Sequence, residues 1–309
     1  MSSSIFDFVY YILDVCLRRF QMKSGLMVVL GIAASVYAAD ACTDEMGHVG
    51  QGTTIQNSDD VRQSGDIGSS GYHYELWYQY GNGSMTYYDN GTFSAKWSGT
   101  NEFLARVGRV YDKSKTYDQY GKFSADFKLS KTGTADYSFI GIHGYTENPL
   151  VEFFIVEDWF SVPDPQNLGE KKGEFEVDGE TYDVYTFIQN NHVSAQGNIS
   201  YPMFYSVRRT ARQCGHVDIT AHFKKWDELG LKLGKISEIK MLAEAGGKAS
   251  VEFDFTYVNI AEADASITAM PLPARKGVTD RNVKFFDLQG RRVQALPARV
   301  NKIFYPNVH

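Results

Sequence analysis

The chain contains 309 residues, which is enough for one large all-β domain with extensions or for two modest domains. Aromatic residues make up 14% of it, with 20 Tyr, 20 Phe and 28 Gly. This composition favours a β-rich globular protein, because aromatic residues favour strands and glycine favours their turns. The formal charge of −6, with no dense block of Lys and Arg, excludes nucleic acid from the expected partners.

Residues 1–39 have the features of an upstream extension and a signal peptide. Met22 and the lysine after it precede an apolar run over residues 26–34, and small residues surround Ala38, so cleavage is expected after Ala38 or Ala39. The run is too short for a membrane span, so no membrane attachment is expected after cleavage. Translation is expected to begin at Met22, with an elongated signal or an anchoring helix as the alternative for residues 1–21.

The segment behind the signal, residues 40–68, is polar and rich in Gly, Ser and Asp, which predicts a flexible lead-in. Cleavage of the signal removes Cys16 and leaves Cys42 and Cys214. Two cysteines in an exported protein allow one disulfide, but no local spacing pairs them. The bonded and the free states therefore both stay open.

Between residues 69 and 260 the chain is a succession of short alternating segments separated by Gly, Asn, Asp and Ser. Near the end of this region, Val251, Phe253, Phe255 and Tyr257 alternate with polar residues, which is typical of a half-buried antiparallel strand. Other segments predicted as strands are 84–88, 92–97, 182–188 and 200–207.

One strand-like segment carries a carboxylate inside an apolar run, Asn-Pro-Leu-Val-Glu-Phe-Phe-Ile-Val-Glu-Asp-Trp. Because strand side chains alternate between faces, Val151, Phe153 and Ile155 share one face, and Glu152 lies with Phe154 on the other. An ionised carboxylate among large apolar groups is costly to bury unless it is paired or has a function. Glu152 is therefore either a solvent-facing residue at a sheet edge or a functional residue.

One stretch departs from the strand period. Over residues 221–233, Phe223, Trp226 and Leu229 recur at every third position, which predicts one amphipathic helix that ends near Gly230. Many strands and one helix predict an all-β fold, namely a two-sheet β-sandwich or jelly roll closed around one core.

The end of the chain differs from the central region in composition. Residues 261–276, with Pro271 and Pro273 among many small residues, predict a linker. Residues 277–309 contain Phe-Phe-Asp-Leu-Gln-Gly-Arg-Arg, which resembles the C-terminal sorting modules of exported bacterial hydrolases. A small additional hairpin is the alternative for this tail. The signal and a sorting-type tail together predict a secreted or cell-surface bacterial protein.

Three phrases resemble signatures of the glycoside hydrolase family 11 endo-xylanases. Pro-Leu-Val-Glu-Phe-Phe-Ile-Val-Glu is similar to the nucleophile motif Pro-Leu-(Ile/Val)-Glu-Tyr-Tyr-Ile-Val-Glu, and His-Phe-Lys-Lys-Trp is similar to a helix that packs behind the sheets. Glu244, between an apolar strand and a turn of small residues, matches the acid/base motif Ala-x-Glu-Gly-Tyr in part. The resemblance covers residues 69–260 and implies a catalytic β-jelly roll with Glu152 as nucleophile and Glu244 as acid/base.

The resemblance also implies substrate-binding roles for Trp77, Glu102, His143, Tyr145, Phe154, Gln189 and Met203. Trp77 falls where the family places a tryptophan that stacks on a sugar two units from the cleavage point, although a strand tryptophan is commonly a core residue. Glu102 falls beside the acid/base, where a carboxyl group would share a proton with Glu244 and give an acidic pH optimum. A shift of one residue in this comparison would put Asn101 there instead.

The chain departs from the family pattern at several of these positions. Phe153 and Phe154 replace Tyr-Tyr, His143 and Tyr145 replace Tyr and Trp, Gln189 replaces an arginine, Met203 replaces a glutamine, and residues 193–197 replace the usual thumb-loop motif. Each lost hydrogen bond to a charged or polar group costs roughly 1.5–3 kcal/mol. His143 can donate a hydrogen bond in place of the family's tyrosine.

The resemblance implies a retaining endo-1,4-β-xylanase that cleaves internal bonds of β-1,4-xylan, or of a related plant cell-wall polysaccharide, by double displacement. Such a mechanism needs two carboxyl groups about 5–5.5 Å apart. The alternatives are a catalytically weak or re-specialised β-glycan hydrolase and a non-catalytic carbohydrate-binding module on the same fold. No cofactor or metal is expected, because the chain has no H-E-x-x-H motif, and a monomer is expected.

Overall fold

The structure, a computed structural model, describes residues 41–263 apart from 44–46, 57–58 and 195–196, together with two short strands at 285–286 and 292–293. The predicted signal peptide and start of translation lie outside the described residues, as do part of the thumb-loop motif and most of the predicted linker and tail. Within the described residues, no helix is long and apolar enough to span a membrane.

Most of the described residues are in β-strands joined by short turns. The strands before the helix are β1 (Thr53–Ile55), β2 (Gln63–Asp66), β3 (His73–Gln79), β4 (Asn82–Tyr87), β5 (Phe93–Val110), β6 (Lys122–Thr134), β7 (Tyr137–Glu147), β8 (Val151–Asp158), β9 (Glu170–Val177), β10 (Glu180–Ser194), β11 (Gly197–Arg208) and β12 (Cys214–Val217). The helix α1 (Ile219–Glu228) is followed by β13 (Lys235–Ala263), β14 (Phe285–Phe286) and β15 (Arg292–Val293). Short 3₁₀ turns occur at Tyr117–Gln119 and Pro165–Asn167.

The two long strands β5 and β13 connect the two layers of a β-sandwich. Residues 102–110 pair with residues 238–246, and this first layer continues through β7, β8, β11, β10 and β9 on one side and through β3 and β2 on the other. Residues 93–100 pair with residues 249–255, and β4, β1, β6 and β12 extend this second layer. The register changes between the layers beside Gly247, whose φ of 73° favours glycine. The predicted two-sheet jelly roll is confirmed, and its sheets are continuous through these two strands.

The core lies between the two layers and is rich in aromatic rings. Phe103 from the first layer lies with its ring centroid 6.3 Å from that of Phe253 in the second, and Trp97 stacks on Phe103 at 5.3 Å. All three side chains are at most 2% exposed. Because rings of this size bury large apolar areas, these contacts are a main source of cohesion between the layers.

The alternation predicted near the end of the central region holds for Val251, Phe253 and Phe255, which are all buried. Tyr257 differs, because the pairing of β13 with β6 is irregular between Phe255 and Tyr257. Such a bulge inserts one extra residue and exchanges the two faces of the strand beyond it. As a result Val258, and not Tyr257, is buried.

The predicted amphipathic helix forms as α1, which begins two residues earlier than predicted and ends at Glu228, close to the predicted end near Gly230. The carboxylate of Asp218 caps its first turn. Phe223 and Trp226 are fully buried, and their ring centroids lie 5.1 Å and 6.0 Å from that of Phe153 on β8. The helix therefore supports from behind the strand that carries Glu152, which is the packing role expected of it.

Two strands lie in the segment 40–68, which the composition predicted to be a flexible lead-in. β1 pairs with β4 and β2 pairs with β3, and Ile55 and Ile67 are buried in the core. Composition does not indicate these strands, because few of their side chains are apolar. They are held mainly by backbone hydrogen bonds to neighbouring strands, which a polar segment can form as well as an apolar one. Cys42 is joined to Cys214 by a disulfide, so the structure contains the bonded state of the two cysteines.

We expect loss of this disulfide to lower the thermal stability of the protein. The bond joins residues 172 positions apart, and cross-links of this kind contribute about 2–5 kcal/mol, chiefly by restricting the unfolded chain. For Cys42→Ser this corresponds to a fall in Tm of roughly 5–15 °C in calorimetry. Cys214→Ser should lower Tm equally and the double variant no further. Additive losses in the double variant would contradict a role through the shared bond.

The predicted linker and tail are described only in part. β13 continues to Ala263, so the first residues of the predicted linker belong to the sheet. In the tail, Phe285 pairs with Val293 and Phe286 with Arg292 in a two-stranded antiparallel ladder. This ladder fits the additional hairpin and is compatible with a sorting module. The remaining tail residues lie outside the described part of the chain.

Candidate active site

Side-chain alternation places the predicted site residues on one face of the first layer. On β8, Val151, Phe153 and Ile155 belong to the core, while Glu152 and Phe154 face the other way, as the strand period predicted. A cleft of about 690 Å³ opens on this second face. Eight of the nine predicted residues line it: Trp77, Glu102, Tyr145, Glu152, Phe154, Gln189, Met203 and Glu244.

Glu152 is only 7% exposed and accepts three hydrogen bonds from side chains. Its Oε1 accepts from Nε2 of His143 at 2.8 Å and from the hydroxyl of Tyr145 at 2.7 Å, and its Oε2 accepts from the hydroxyl of Tyr201 at 3.1 Å. Burial by itself raises the pKa of Glu152, but the hydrogen bonds from His143 and Tyr145 and the nearby Arg106 outweigh it. The net pKa is lowered, so Glu152 is ionised at neutral pH.

His143 lies beneath the cleft rather than on its surface, because its side chain is fully buried. It was predicted to contact substrate, but its neighbours are Glu152 and Arg106. Burial, followed by the positive charge of Arg106, lowers the pKa of His143 to about 4, so the ring is neutral at neutral pH. Nη1 of Arg106 lies 2.9 Å from Nδ1 of His143 and can only donate, so Nδ1 accepts and the ring proton is on Nε2. The neutral ring therefore donates to Glu152.

Arg106 belongs to a buried cluster of charged side chains that the sequence did not indicate. Its guanidinium contacts Glu75 and Glu238, each at 2.6 Å. Lys240, which is fully buried, contacts the same two carboxylates at 3.3 Å and 2.8 Å. The two carboxylates pair with these cations, as buried charges must be paired, although burial, followed by the positive charge of Arg106, lowers the pKa of Lys240 to about 7. Because this cluster holds the guanidinium in place, it fixes which nitrogen of His143 carries the proton.

Tyr201 also contacts Glu152, although it is not among the predicted site residues. Met203 lines the cleft where the family has a glutamine, and its side chain provides no hydrogen-bond donor for Glu152. Tyr201 precedes it by two positions on β11, so both side chains lie on the same face, and the Tyr201 hydroxyl reaches Glu152 instead. The strand period would have indicated this residue once Met203 was placed in the cleft.

Glu244 lines the same cleft from β13 and is 9% exposed. Burial, the carboxylate of Glu102 and the carboxylate of Glu152 raise its pKa well above the usual range, in that order of effect. Glu102 lines the cleft from β5, whereas the neighbouring Asn101 is exposed and does not. Of the two residues left open by the sequence, Glu102 is therefore the one beside Glu244.

Aromatic side chains form much of the remaining cleft wall. Phe154 stacks on Tyr205 with ring centroids 4.8 Å apart. Trp77 is half-buried at the cleft surface rather than enclosed in the core, and Gln189 lines the cleft from β10. Flat apolar rings of this kind provide stacking surfaces for sugar rings.

The two acids of the cleft differ in protonation near neutral pH. The hydrogen bonds from His143 and Tyr145 and the charge of Arg106 lower the pKa of Glu152, whereas burial and the negative neighbours raise the pKa of Glu244. A carboxylate that can attack and a carboxylic acid that can donate a proton are the two groups required for glycoside hydrolysis with retention.

Comparison with known proteins identifies the family to which this chain belongs. A sequence model of Glycosyl hydrolases family 11 matches residues 69–256. The chain belongs to this family. Proteins similar to it include Endo-1,4-beta-xylanase C of Fibrobacter succinogenes, 46% identical over 273 residues that are 82% of this chain and 45% of that protein. Endo-1,4-beta-xylanase C of Neocallimastix patriciarum is 38% identical over 80% of this chain and 51% of that protein.

A solved structure, the wild-type ENZbleach xylanase, is similar to this chain with a TM-score of 0.68 at 32% identity, covering 75% of this chain and 95% of that one. The chain spans about half or less of the length of the two curated relatives. The chain therefore has the fold of the solved xylanase. Its cleft differs from the family pattern in the side chains around Glu152 that are described above.

Proposed function

We propose that the chain is a retaining endo-1,4-β-xylanase acting on β-1,4-xylan or a related plant cell-wall polysaccharide. The observation that carries this proposal is the pair Glu152 and Glu244, which face one cleft with opposite pKa shifts. The family match and the relatives named as endo-1,4-beta-xylanases support the substrate. A binding module would have no need for two carboxyl groups tuned in this way, so a purely binding role is not favoured.

The proposed reaction follows from the two protonation states. Glu152 attacks the anomeric carbon while Glu244 gives its proton to the leaving oxygen, and a covalent glycosyl-enzyme forms. Formation of the ester removes the negative charge of Glu152, which lowers the pKa of the now ionised Glu244 relative to the free enzyme. Glu244 then takes a proton from water as the water attacks the anomeric carbon and releases Glu152. Each of the two displacements inverts the anomeric carbon, so the product retains the β configuration.

A re-specialised β-glycan hydrolase is the second candidate, and the rebuilt contacts of Glu152 favour it over a catalytically weak enzyme. His143 and Tyr201 donate where the family uses tyrosine and glutamine, so the charge of the nucleophile is still stabilised. The changes at Tyr145, Phe154 and Gln189 alter the cleft surface itself. Such changes affect which sugar or which substituent is accepted more than whether the bond is cleaved.

The proposed setting is a secreted or cell-surface bacterial monomer with a catalytic domain over residues 69–260, a signal peptide before it and a linker and sorting-type tail after it. The Cys42–Cys214 bond supports export, because structural disulfides persist in oxidising compartments.

Reducing-sugar release by the purified protein on xylan, cellulose and mixed-linkage glucan tests the proposed activity. We expect the largest release from xylan, with the β anomer formed first in a proton NMR time course. Preference for mixed-linkage glucan would favour the re-specialised hydrolase. Binding to xylan without cleavage of any of the three would contradict both enzyme proposals.

We expect Glu102→Gln to lower the pKa of Glu244 and yet to raise the pH optimum of activity. The ionised Glu102 raises the pKa of Glu244, so its removal lowers that pKa. Two adjacent carboxyl groups lose their protons in coupled steps, and a single proton shared between them is a poor donor to the leaving group. We therefore expect the wild-type protein to have an acidic pH optimum and the variant, in which Glu244 has no carboxyl group with which to share its proton, to have a higher one.

Carbon-13 NMR titration of the glutamate carboxyl groups and the pH profile of kcat/KM measure these two shifts. Glu252→Gln, at an exposed ion pair with Lys96 that does not line the cleft, is the control and should change neither. A pH optimum that falls together with the pKa of Glu244 would contradict the shared proton.

A further inference from the structure

The segment Asp59–Arg62 precedes the part of the chain that matches the family and connects β1 to β2. Two of its side chains, Asp60 and Arg62, line the cleft that contains Glu152. The sequence predicted this segment to be part of a flexible lead-in, but several specific contacts attach it to the cleft.

Asp60 is hydrogen-bonded to three consecutive residues of the neighbouring strand β3. Its Oδ1 accepts from the indole Nε1 of Trp77 at 3.2 Å and from Nε2 of Gln79 at 3.4 Å, and its own N–H donates to the carbonyl of Tyr78 at 2.8 Å. The φ of Asp60 is 58°, a left-handed conformation that Asp adopts more readily than most residues. This backbone conformation holds the carboxylate against the ring of Trp77.

The other end of the segment is attached by charge. The guanidinium of Arg62 forms an ion pair with Oε1 of Glu75, whose Oε2 accepts from Arg106 and Lys240 in the buried cluster. Arg62 is 51% exposed, whereas Glu75 is buried, so the arginine connects the surface segment to a fixed anion. On the other side of Asp60, the carboxylate of Asp59 accepts a hydrogen bond from the backbone N–H of Tyr80. The residues on both sides of Asp60 are therefore attached to the rest of the protein.

We infer that Asp60 is a positioning residue for glycan binding, which holds Trp77 in the orientation that stacks on a sugar ring. Indole has a single hydrogen-bond donor, so the bond to Asp60 determines how the ring is turned about its side-chain torsions. A ring without this partner can adopt other rotamers, and binding must then restrict it at an entropic cost. The inference rests on the proposed function, because it assumes that Trp77 stacks on the sugar two units from the cleavage point.

Steady-state kinetics on two aryl glycosides separate this role from a structural one. Asp60→Gly removes the carboxylate and tolerates the left-handed backbone, and Asp60→Asn keeps an acceptor for the indole. For an aryl β-xylobioside we expect Asp60→Gly to raise KM about tenfold with kcat little changed, because an interaction made equally in ground and transition states is lost. For an aryl β-xyloside, which is too short to reach Trp77, KM should not change. Asp60→Asn should restore most of the affinity.

A double-variant comparison tests whether Asp60 acts through Trp77. In a Trp77→Ala background, Asp60→Gly should raise KM for the xylobioside no further, because coupled residues are not additive. Lys113→Gly is the matched control, since Lys113 is exposed, has a φ of 60° and does not line the cleft. Unchanged KM in Asp60→Gly, or additive effects with Trp77→Ala, would overturn the inference.

Failure of the proposed function would look different. A wild-type protein that cleaves no xylan and neither aryl glycoside would overturn the proposed activity. Calorimetric titration with xylotetraose would still test the role of Asp60. Weaker binding by Asp60→Gly than by Asp60→Asn would support the positioning role, and equal binding by the two variants would contradict it.

Discussion

Replacing Glu152 with alanine should reduce xylan hydrolysis by at least about 10⁴-fold, because the covalent route loses its nucleophile. Glu244→Ala should cause a comparable loss on xylan, where the sugar leaving group needs a proton. The two losses differ in kind, since Glu152→Ala cannot form a glycosyl-enzyme from any substrate, whereas Glu244→Ala can form it from a substrate whose leaving group needs no proton but cannot then activate water. Initial rates of reducing-sugar release measure both.

Azide separates the two roles. With an activated aryl xylobioside, Glu244→Ala should still form the glycosyl-enzyme, because the leaving group departs without protonation. Azide is already anionic and needs no general base, so it should attack the intermediate and give a β-glycosyl azide. Glu152→Ala should give no β-glycosyl azide, because it forms no intermediate to attack. NMR of the products distinguishes these outcomes.

Glu252→Ala provides a matched control at an exposed glutamate outside the cleft, and it should retain full activity. Wild-type rates in either catalytic variant, or a β-glycosyl azide from Glu152→Ala, would reject the assignment of the two carboxyl groups.

The fold and the strand that carries Glu152 could be predicted because their signals are local. Because side chains alternate along a strand, Val151, Phe153 and Ile155 lie in the core and Glu152 lies in the cleft. This alternation does not depend on which strands pair with β8. The helix could be predicted for the same reason, since Phe223 and Trp226 mark its buried face within a few residues. Predictions of this kind fail only where the period changes, as it does at the bulge before Tyr257.

The surroundings of Glu152 could not be predicted, because they depend on pairing between distant strands. Arg106 and His143 are separated by 37 residues and meet only because β5 and β7 both pair with β13. Nothing in the sequence near either residue indicates the contact. The segment Asp59–Arg62 was missed for a related reason, since its polar side chains resemble those of an unstructured segment until Trp77 and Glu75 provide their partners.

The contact between Arg106 and His143 changes how the departure from the family should be interpreted. A histidine beside a nucleophilic carboxylate could be charged and form an ion pair, or neutral and form a hydrogen bond. Burial and the charge of Arg106 lower the pKa of His143 to about 4, which favours the neutral form. The bond to Glu152 is then a hydrogen bond from a neutral donor, as it would be from the family's tyrosine.

We therefore expect His143→Phe to lower kcat by about 10- to 100-fold, because a buried hydrogen bond to a charged group is lost. The hydrogen bond from His143 lowers the pKa of Glu152, so its removal raises that pKa. Because the nucleophile must be ionised, the acid limb of the pH profile of kcat/KM should move to higher pH. His143→Gln can accept from Arg106 and donate to Glu152, so it should restore most of the rate and the wild-type acid limb. A rate loss in His143→Phe without movement of the acid limb would indicate that His143 supports the fold and not the charge of Glu152.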